Sequence, residues 1–140
     1  EPDPYAMLLF NHWVALAGNA PPRALLESLL LFSVSPAYMA ANPGFSEAFL
    51  AGPAPQAAGF AAAAMACHGH DTLSRLGAVR VPTLVVAGSA DVLTRSELSR
   101  HIVERMPNAV LRLLEAGHML FWERPAEFSA LVRSFLADVP

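Results

Sequence analysis

The sequence predicts an α/β fold in its second half, preceded by a layer of short helices. Three observations carry this expectation. Two short apolar runs, 81–87 and 109–114, each lead into an amphipathic stretch. Strand, helix, strand, helix in that order implies a right-handed βαβ unit with parallel neighbours. The first 69 residues instead show helical spacing, rich in alanine and broken by proline and glycine. The boundary is placed near residue 70, giving a helical segment over 1–69 and a βαβα segment over 70–140.

Taken in order, Leu9, Trp13 and Leu16 recur at spacings of four and three, beside Tyr5, Leu8 and His12, which predicts a first helix. Pro22, a favoured first-turn residue, opens a second with the stripe Leu25, Leu26, Leu29, Leu30 and Ser33. Ser35-Pro36, Asn42-Pro43-Gly44 and Gly52-Pro53 then punctuate short segments, and a last helix is expected over 57–65. Asp71 reads as the N-cap of a brief helix ending at Gly77. The run 81–87 is β-branched and apolar, as in a strand buried on both faces, with Pro82 at its start where no ladder donor is needed.

Thr94-Arg95-Ser96-Glu97 has capping-box spacing, so Thr94 is expected to cap a helix carrying Leu98, Ile102 and Met106 and ending at Pro107-Asn108. After the second strand, Pro125 opens a helix whose stripe is Phe128, Leu131, Val132, Phe135 and Leu136.

Composition narrows the function. The 140 residues are 54% hydrophobic and 15% charged, with net charge −3, which excludes a disordered chain. There is no basic cluster, so nucleic-acid binding has no electrostatic footprint. All nine basic residues are arginine, which excludes lysine Schiff-base chemistry from this chain. No apolar run reaches bilayer length and no signal peptide is visible, so no membrane association is expected. Cys67 stands alone and permits no internal disulfide; a reducing, cytoplasmic compartment is the expectation. The opening Glu1-Pro2-Asp3-Pro4 resembles a linker, and a piece of a longer protein is expected.

In open α/β sheets, functional residues sit just past the carboxyl ends of the strands. Asp91 comes four residues after Ala87, and His118 four after Leu114. On adjacent parallel strands, about 4.8 Å apart, a carboxylate–imidazole hydrogen bond between them is natural. Such a carboxylate fixes the histidine tautomer and stabilises the imidazolium. Each residue also has a plain reading, Asp91 as a turn-capping aspartate and His118 as a hydrogen-bonded, partly buried histidine.

The pattern Val81-Pro82-Thr83-Leu84-Val85-Val86-Ala87-Gly88-Ser89-Ala90-Asp91, then Ala116-Gly117-His118 and Glu123-Arg124-Pro125 before a terminal amphipathic helix, resembles the C-terminal half of an α/β-hydrolase. It is similar to the subgroup with a helical cap: enol-lactone hydrolases, C–C bond hydrolases and cofactor-free haloperoxidases. His70-Asp71-Thr72-Leu73-Ser74-Arg75-Leu76 is like the cap-to-strand junction of that subgroup. The resemblance implies the last two strands of the fold behind a cap. It makes Asp91 the triad acid and His118 the base, with Leu93, Met119 and Trp13 as substrate-binding candidates. The implied substrate is small, apolar and ester-like, and no cofactor is implied.

Two departures stand out. Thr94 occupies a place where the family often has proline. More seriously, no G-x-S-x-G elbow is present; neither Gly88-Ser89 nor Phe45-Ser46 has the flanking pair of glycines. The nucleophile is therefore expected from a missing N-terminal half, and the chain alone is expected to be inactive. It is expected to self-associate or to pair with that half. A non-catalytic binding or interaction module on the same fold is the alternative reading. Cys67, in an alanine-rich helical run, reads as an inert buried residue rather than a replacement nucleophile. His68, His70 and Asp71 cluster, but no further ligand spacing supports a metal.

Overall fold

The computed structural model describes residues 3–139. The chain separates into two compact units. One comprises the chain up to Leu31 together with Met39–Asp71; the other comprises Phe32–Tyr38 and the chain from Thr72 onward.

The first unit is helical. It contains α1 (Pro4–Asn19), most of α2 (Pro22–Ser33), α4 (Phe45–Leu50) and α5 (Ala57–His68). Asp3 caps α1 by accepting from the Tyr5 amide, and Pro4 fills the first turn. Along α1 the spacing of four puts Leu9 and Trp13 in the core, with Leu25, Leu26, Leu30 and Ala64. Trp13 is the anchor: its indole N–H donates to the Ser28 hydroxyl at 3.0 Å, and Phe10 and Phe60 pack on its ring. A buried indole needs such a partner, and Ser28 supplies it from the second helix.

The α5 helix runs to His68, beyond the expected end at Met65, because alanine continues its favourable helical run. Cys67 proves exposed rather than buried, its Sγ 3.5 Å from the Ala63 carbonyl. The near-uniform alanine of α5 leaves one buried position, Ala64, a turn before the cysteine.

The second unit is the βαβα body. Leu73–Ala78 form a 3₁₀ turn rather than an α-helix. Its N-cap is Thr72, without a side-chain cap bond, instead of the expected Asp71; the tighter winding moves the cap one residue on. Strand β1 (Thr83–Gly88) begins after Pro82 and pairs in parallel with β2 (Ala109–Leu114), Gly88 opposite Leu114. Between them runs α6 (Ser96–Val103). β1 is half-buried over its first four residues and buried only at Ala87 and Gly88, rather than buried throughout. Within the described residues it has β2 as its single strand neighbour.

Helix α6 starts later than the capping box requires, with Arg95 at its N-cap and no side-chain cap bond. It also stops at Val103, so Met106 is buried from the following turn rather than from the helix. The short α7 (Leu120–Glu123) follows β2 and leads into α8 (Pro125–Asp138). α8 turns Phe128 and Leu131 onto a core of Leu114, Ala116 and Leu120, with Val86 alongside. Leu136, at the far end of the expected stripe, is exposed. The helix α3 (Pro36–Ala41) runs across the two parts of the chain. Among the described residues no helix is long and apolar enough to cross a membrane.

The Leu114–Ala116–Leu120 core lies directly under the two loops that follow the strands. Leu120→Ala is expected to cost about 2–4 kcal/mol, the range for truncating a well-packed core leucine. Urea unfolding checks this: the midpoint should fall with the slope unchanged.

Candidate active site

Two loops leave the same edge of the sheet. The loop after β1 ends in Asp91 and the loop after β2 in His118. The backbone joins them before any side chain does. The Ser89 amide donates to the Leu114 carbonyl at 2.8 Å, and the Ala90 amide to the Ala116 carbonyl at 3.0 Å. A Cβ on Gly88 would overlap the carbonyls of Ala116 and Gly117, so glycine is what lets the loops touch. Ala116 is fully enclosed between them.

This brings Asp91 Oδ2 within 3.0 Å of His118 Nδ1. The Asp91 side chain is only 4% exposed and that of His118 35%, so the carboxylate lies inside and the imidazole opens to solvent. An ionised carboxylate can only accept, hence Nδ1 carries the proton and Nε2 is the basic nitrogen.

Asp91 accepts four hydrogen bonds. Its Oδ1 takes the amides of Leu93 at 2.8 Å and Thr94 at 2.9 Å. Its Oδ2 takes the Thr94 hydroxyl at 2.8 Å as well as His118. Burial pushes the Asp91 carboxyl pKa up. The hydrogen bonds from His118 and from the Thr94 hydroxyl and amide, with the attraction of the imidazolium, more than offset this and hold it below the usual value.

Thr94 therefore does not cap α6. Its Oγ1 donates to Asp91 and also lies 3.2 Å from His118 Nδ1. The same short side chain cannot reach forward to the helix while it turns back onto the carboxylate. Sequence spacing offered both uses, since Asp followed three residues later by Thr suits an Asx turn as well as Thr-x-x-Glu suits a cap.

A second buried carboxylate lies beneath the histidine loop. Glu123 Oε1 accepts from the amides of Gly117 and Ser35, each at 2.8 Å, and its Oε2 from the Ser35 hydroxyl at 2.6 Å. The signal for Glu123 in the sequence was the acid itself, standing in an otherwise apolar turn; a buried glutamate is rare without dedicated donors.

Of the other candidate residues, Leu93 and Met119 are half-buried and directly follow the acid and base loops. Trp13 lies in the core of the helical unit. Among the described residues, no three His, Cys, Asp or Glu side chains are grouped as metal ligands.

The chain matches the family model for the alpha/beta hydrolase family over residues 2–131. It is 30% identical over 144 residues to the protein named "Putative carbamate hydrolase RutD" of Pseudomonas syringae pv. syringae (strain B728a), covering 100% of this chain and 56% of that protein. Among solved structures it resembles MGS-M2, an alpha/beta hydrolase enzyme from a Medee basin deep-sea metagenome library. The TM-score is 0.88 and the identity 19%, over 100% of this chain and 54% of the other. It also resembles the enol-lactonase of Burkholderia xenovorans LB400, with TM-score 0.84 and 22% identity over 92% of this chain and 50% of that one. These structural likenesses establish the fold. The chain spans about half the length of the relatives it matches.

Thr94→Val keeps the amide bond to Asp91 Oδ1 and deletes the hydroxyl bond to Oδ2. The Asp91 carboxyl should then titrate at higher pH, read by carboxyl ¹³C NMR. A lowered carboxyl pKa adds stability above the unfolded value near ~3.9, and that stability is lost as pH falls through the folded value. The variant should lose about 1 kcal/mol at neutral pH, with the deficit shrinking below about pH 4. A deficit unchanged at pH 2 would show that Thr94 acts elsewhere.

Proposed function

Since this chain belongs to the α/β hydrolase family, we propose that it supplies the acid and base of a Ser-His-Asp hydrolase whose serine lies outside these 140 residues. The observation that carries this is the 3.0 Å bond between Asp91 Oδ2 and His118 Nδ1 at the ends of adjacent parallel strands. The sequence has no G-x-S-x-G, and its relatives are about twice as long.

The chemistry is acyl transfer. A serine Oγ attacks the substrate carbonyl while His118 Nε2 takes its proton, and the carbonyl electrons move onto oxygen. The tetrahedral species collapses, the leaving group departs, and His118 returns the proton to it. Water then attacks the acyl-enzyme, giving its proton to His118, which passes it back to the serine. Asp91 remains ionised throughout; it holds Nδ1–H and stabilises the imidazolium.

The substrate class is an ester, a lactone or an activated C–C bond. The names of the relatives, a carbamate hydrolase and an enol-lactonase, are of this kind, since each describes attack on a carbonyl bearing a leaving group. Leu93 and Met119, beside the acid and base, are the apolar contacts we assign to it. No cofactor enters the scheme. A lone cysteine suits a reducing cytoplasm.

We assign the outer edge of β1 to pairing with the serine-bearing half. Its run Leu84–Val85–Val86–Ala87 carries no charge, and an unpaired edge of that kind is a template for another strand. An apolar groove of about 450 Å³, lined by Pro82, Leu84, Val86, Phe128, Val132 and Leu136, lies beside it. In the absence of that half, β1 is expected to pair with a second copy.

Two measurements follow. The chain alone should not turn over a p-nitrophenyl ester. Joined to a serine-bearing half, it should do so, with His118→Ala lowering kcat by on the order of 10⁴–10⁶; full activity in that variant would end the triad reading. Light scattering at micromolar concentration should give a mass above 14.9 kDa for the isolated chain. A monodisperse 14.9 kDa species that melts cooperatively would refute the pairing.

A further inference from the structure

We propose that Glu123 and Ser35 form a strap that positions the His118 ring by fixing the main chain on either side of it. The inference rests on the reading of His118 as the base.

The residues on either side of the histidine are both tied to the segment Ser33-Val34-Ser35, Gly117 through the Glu123 carboxylate and Met119 directly. On the near side, the Gly117 amide donates to Glu123 Oε1 at 2.8 Å, and the Ser35 amide donates to the same oxygen at 2.8 Å. On the far side, the Met119 amide donates to the Ser33 carbonyl at 2.7 Å. The Glu123 carboxylate is also held by the Ser35 hydroxyl at 2.6 Å, and that hydroxyl in turn accepts from the Tyr38 amide at 3.1 Å.

The packing leaves no slack. A Cβ on Gly117 would sit 2.6 Å from the Ser35 nitrogen and 2.8 Å from both the Val34 carbonyl carbon and Glu123 Oε1. The segment is pressed against the histidine loop at main-chain distance. Ser35 and Glu123 are both buried.

A carboxylate is a costly group to bury, so packing alone does not explain it. Three donors converge at this point: two amides and a hydroxyl. A group that only accepts satisfies all three at once. A glutamine would turn an N–H toward one of them. With Gly117 and Met119 both anchored, the main chain of His118 is held between two fixed points, and its χ angles complete the placement of the ring. Asp91 and Thr94 set those through Nδ1. A displacement near 1 Å at a reacting nitrogen is enough to cost two orders of magnitude in rate. The strap is thus a positioning device acting through His118, with no contact to substrate required.

The test follows the His118 ring in the intact chain, by ¹H–¹⁵N NMR of its Nδ1–H. Glu123→Ala should raise the exchange rate of that proton by about tenfold or more, the equivalent of losing one to two hydrogen bonds of support. Ser35→Ala and Glu123→Gln should give smaller increases, because each keeps part of the set. Leu131→Ala, which weakens the same core from α8 and carries none of the strap's hydrogen bonds, is the control for general loosening.

The proposal is overturned if Glu123→Ala and Ser35→Ala leave the proton unchanged. It is equally overturned if they raise its exchange no more than Leu131→Ala does at matched stability. Should Glu123→Ala fail to fold, Ser35→Ala decides, because it removes a single hydroxyl. None of these readings needs turnover, so failure of the strap is separate from failure of the triad, which the His118→Ala activity assay reports.

Discussion

The contact between the loops after β1 and β2 is the constraint on which the rest of this site depends. Two amide-to-carbonyl bonds join them, Ser89 to Leu114 and Ala90 to Ala116, across a point where Gly88 has no side chain to hold them apart. Parallel pairing of Gly88 with Leu114 brings the loops out side by side. The meeting of Asp91 and His118 is then a consequence of main-chain geometry rather than of side-chain search. What remains to be lost when the imidazole finds its acceptor is side-chain rotamer freedom.

The unit buries two carboxylates and uses them differently. Asp91 takes the Nδ1–H of an imidazole that opens to solvent, so its partner is a ring that can gain a positive charge on its far nitrogen. Glu123 takes amides and a hydroxyl, none of which titrates near neutral pH, so its charge is answered by fixed dipoles. One of these arrangements responds to chemistry and the other resists it. Both draw on the same expedient: low dielectric strengthens a carboxylate's hydrogen bonds so long as its lone pairs are satisfied.

Much of the second unit could be read from sequence because its signals are periodic and local. β2 falls on 109–114 as expected, and Pro125 opens α8. The Asp91–His118 juxtaposition was legible for a similar reason, since parallel strands fix where their following loops emerge. Thr94 was misread because a hydroxyl in a turn has two hydrogen-bonding options within three residues, and only the tertiary partner decides between them. The strand β1 was expected to be enclosed on both faces, a property that depends on neighbours rather than on its own residues. Glu123 escaped notice as a structural centre because its partners come from Ser35, far upstream, and no local pattern joins such distant positions.

The separation between Ser35 and Glu123 is 88 residues, and it encloses most of the chain. Closing so long a loop is entropically unfavourable until the segments between are already ordered. Contacts of high sequence separation form late and slow the approach to the native state. The helices and the β1–β2 pair can organise from nearer contacts, whereas the seat of the histidine must wait for Ser35 and Glu123 to meet. A nascent or partly unfolded form of this protein would thus hold its sheet before it holds its imidazole, and the last event of folding would be the one that seats His118.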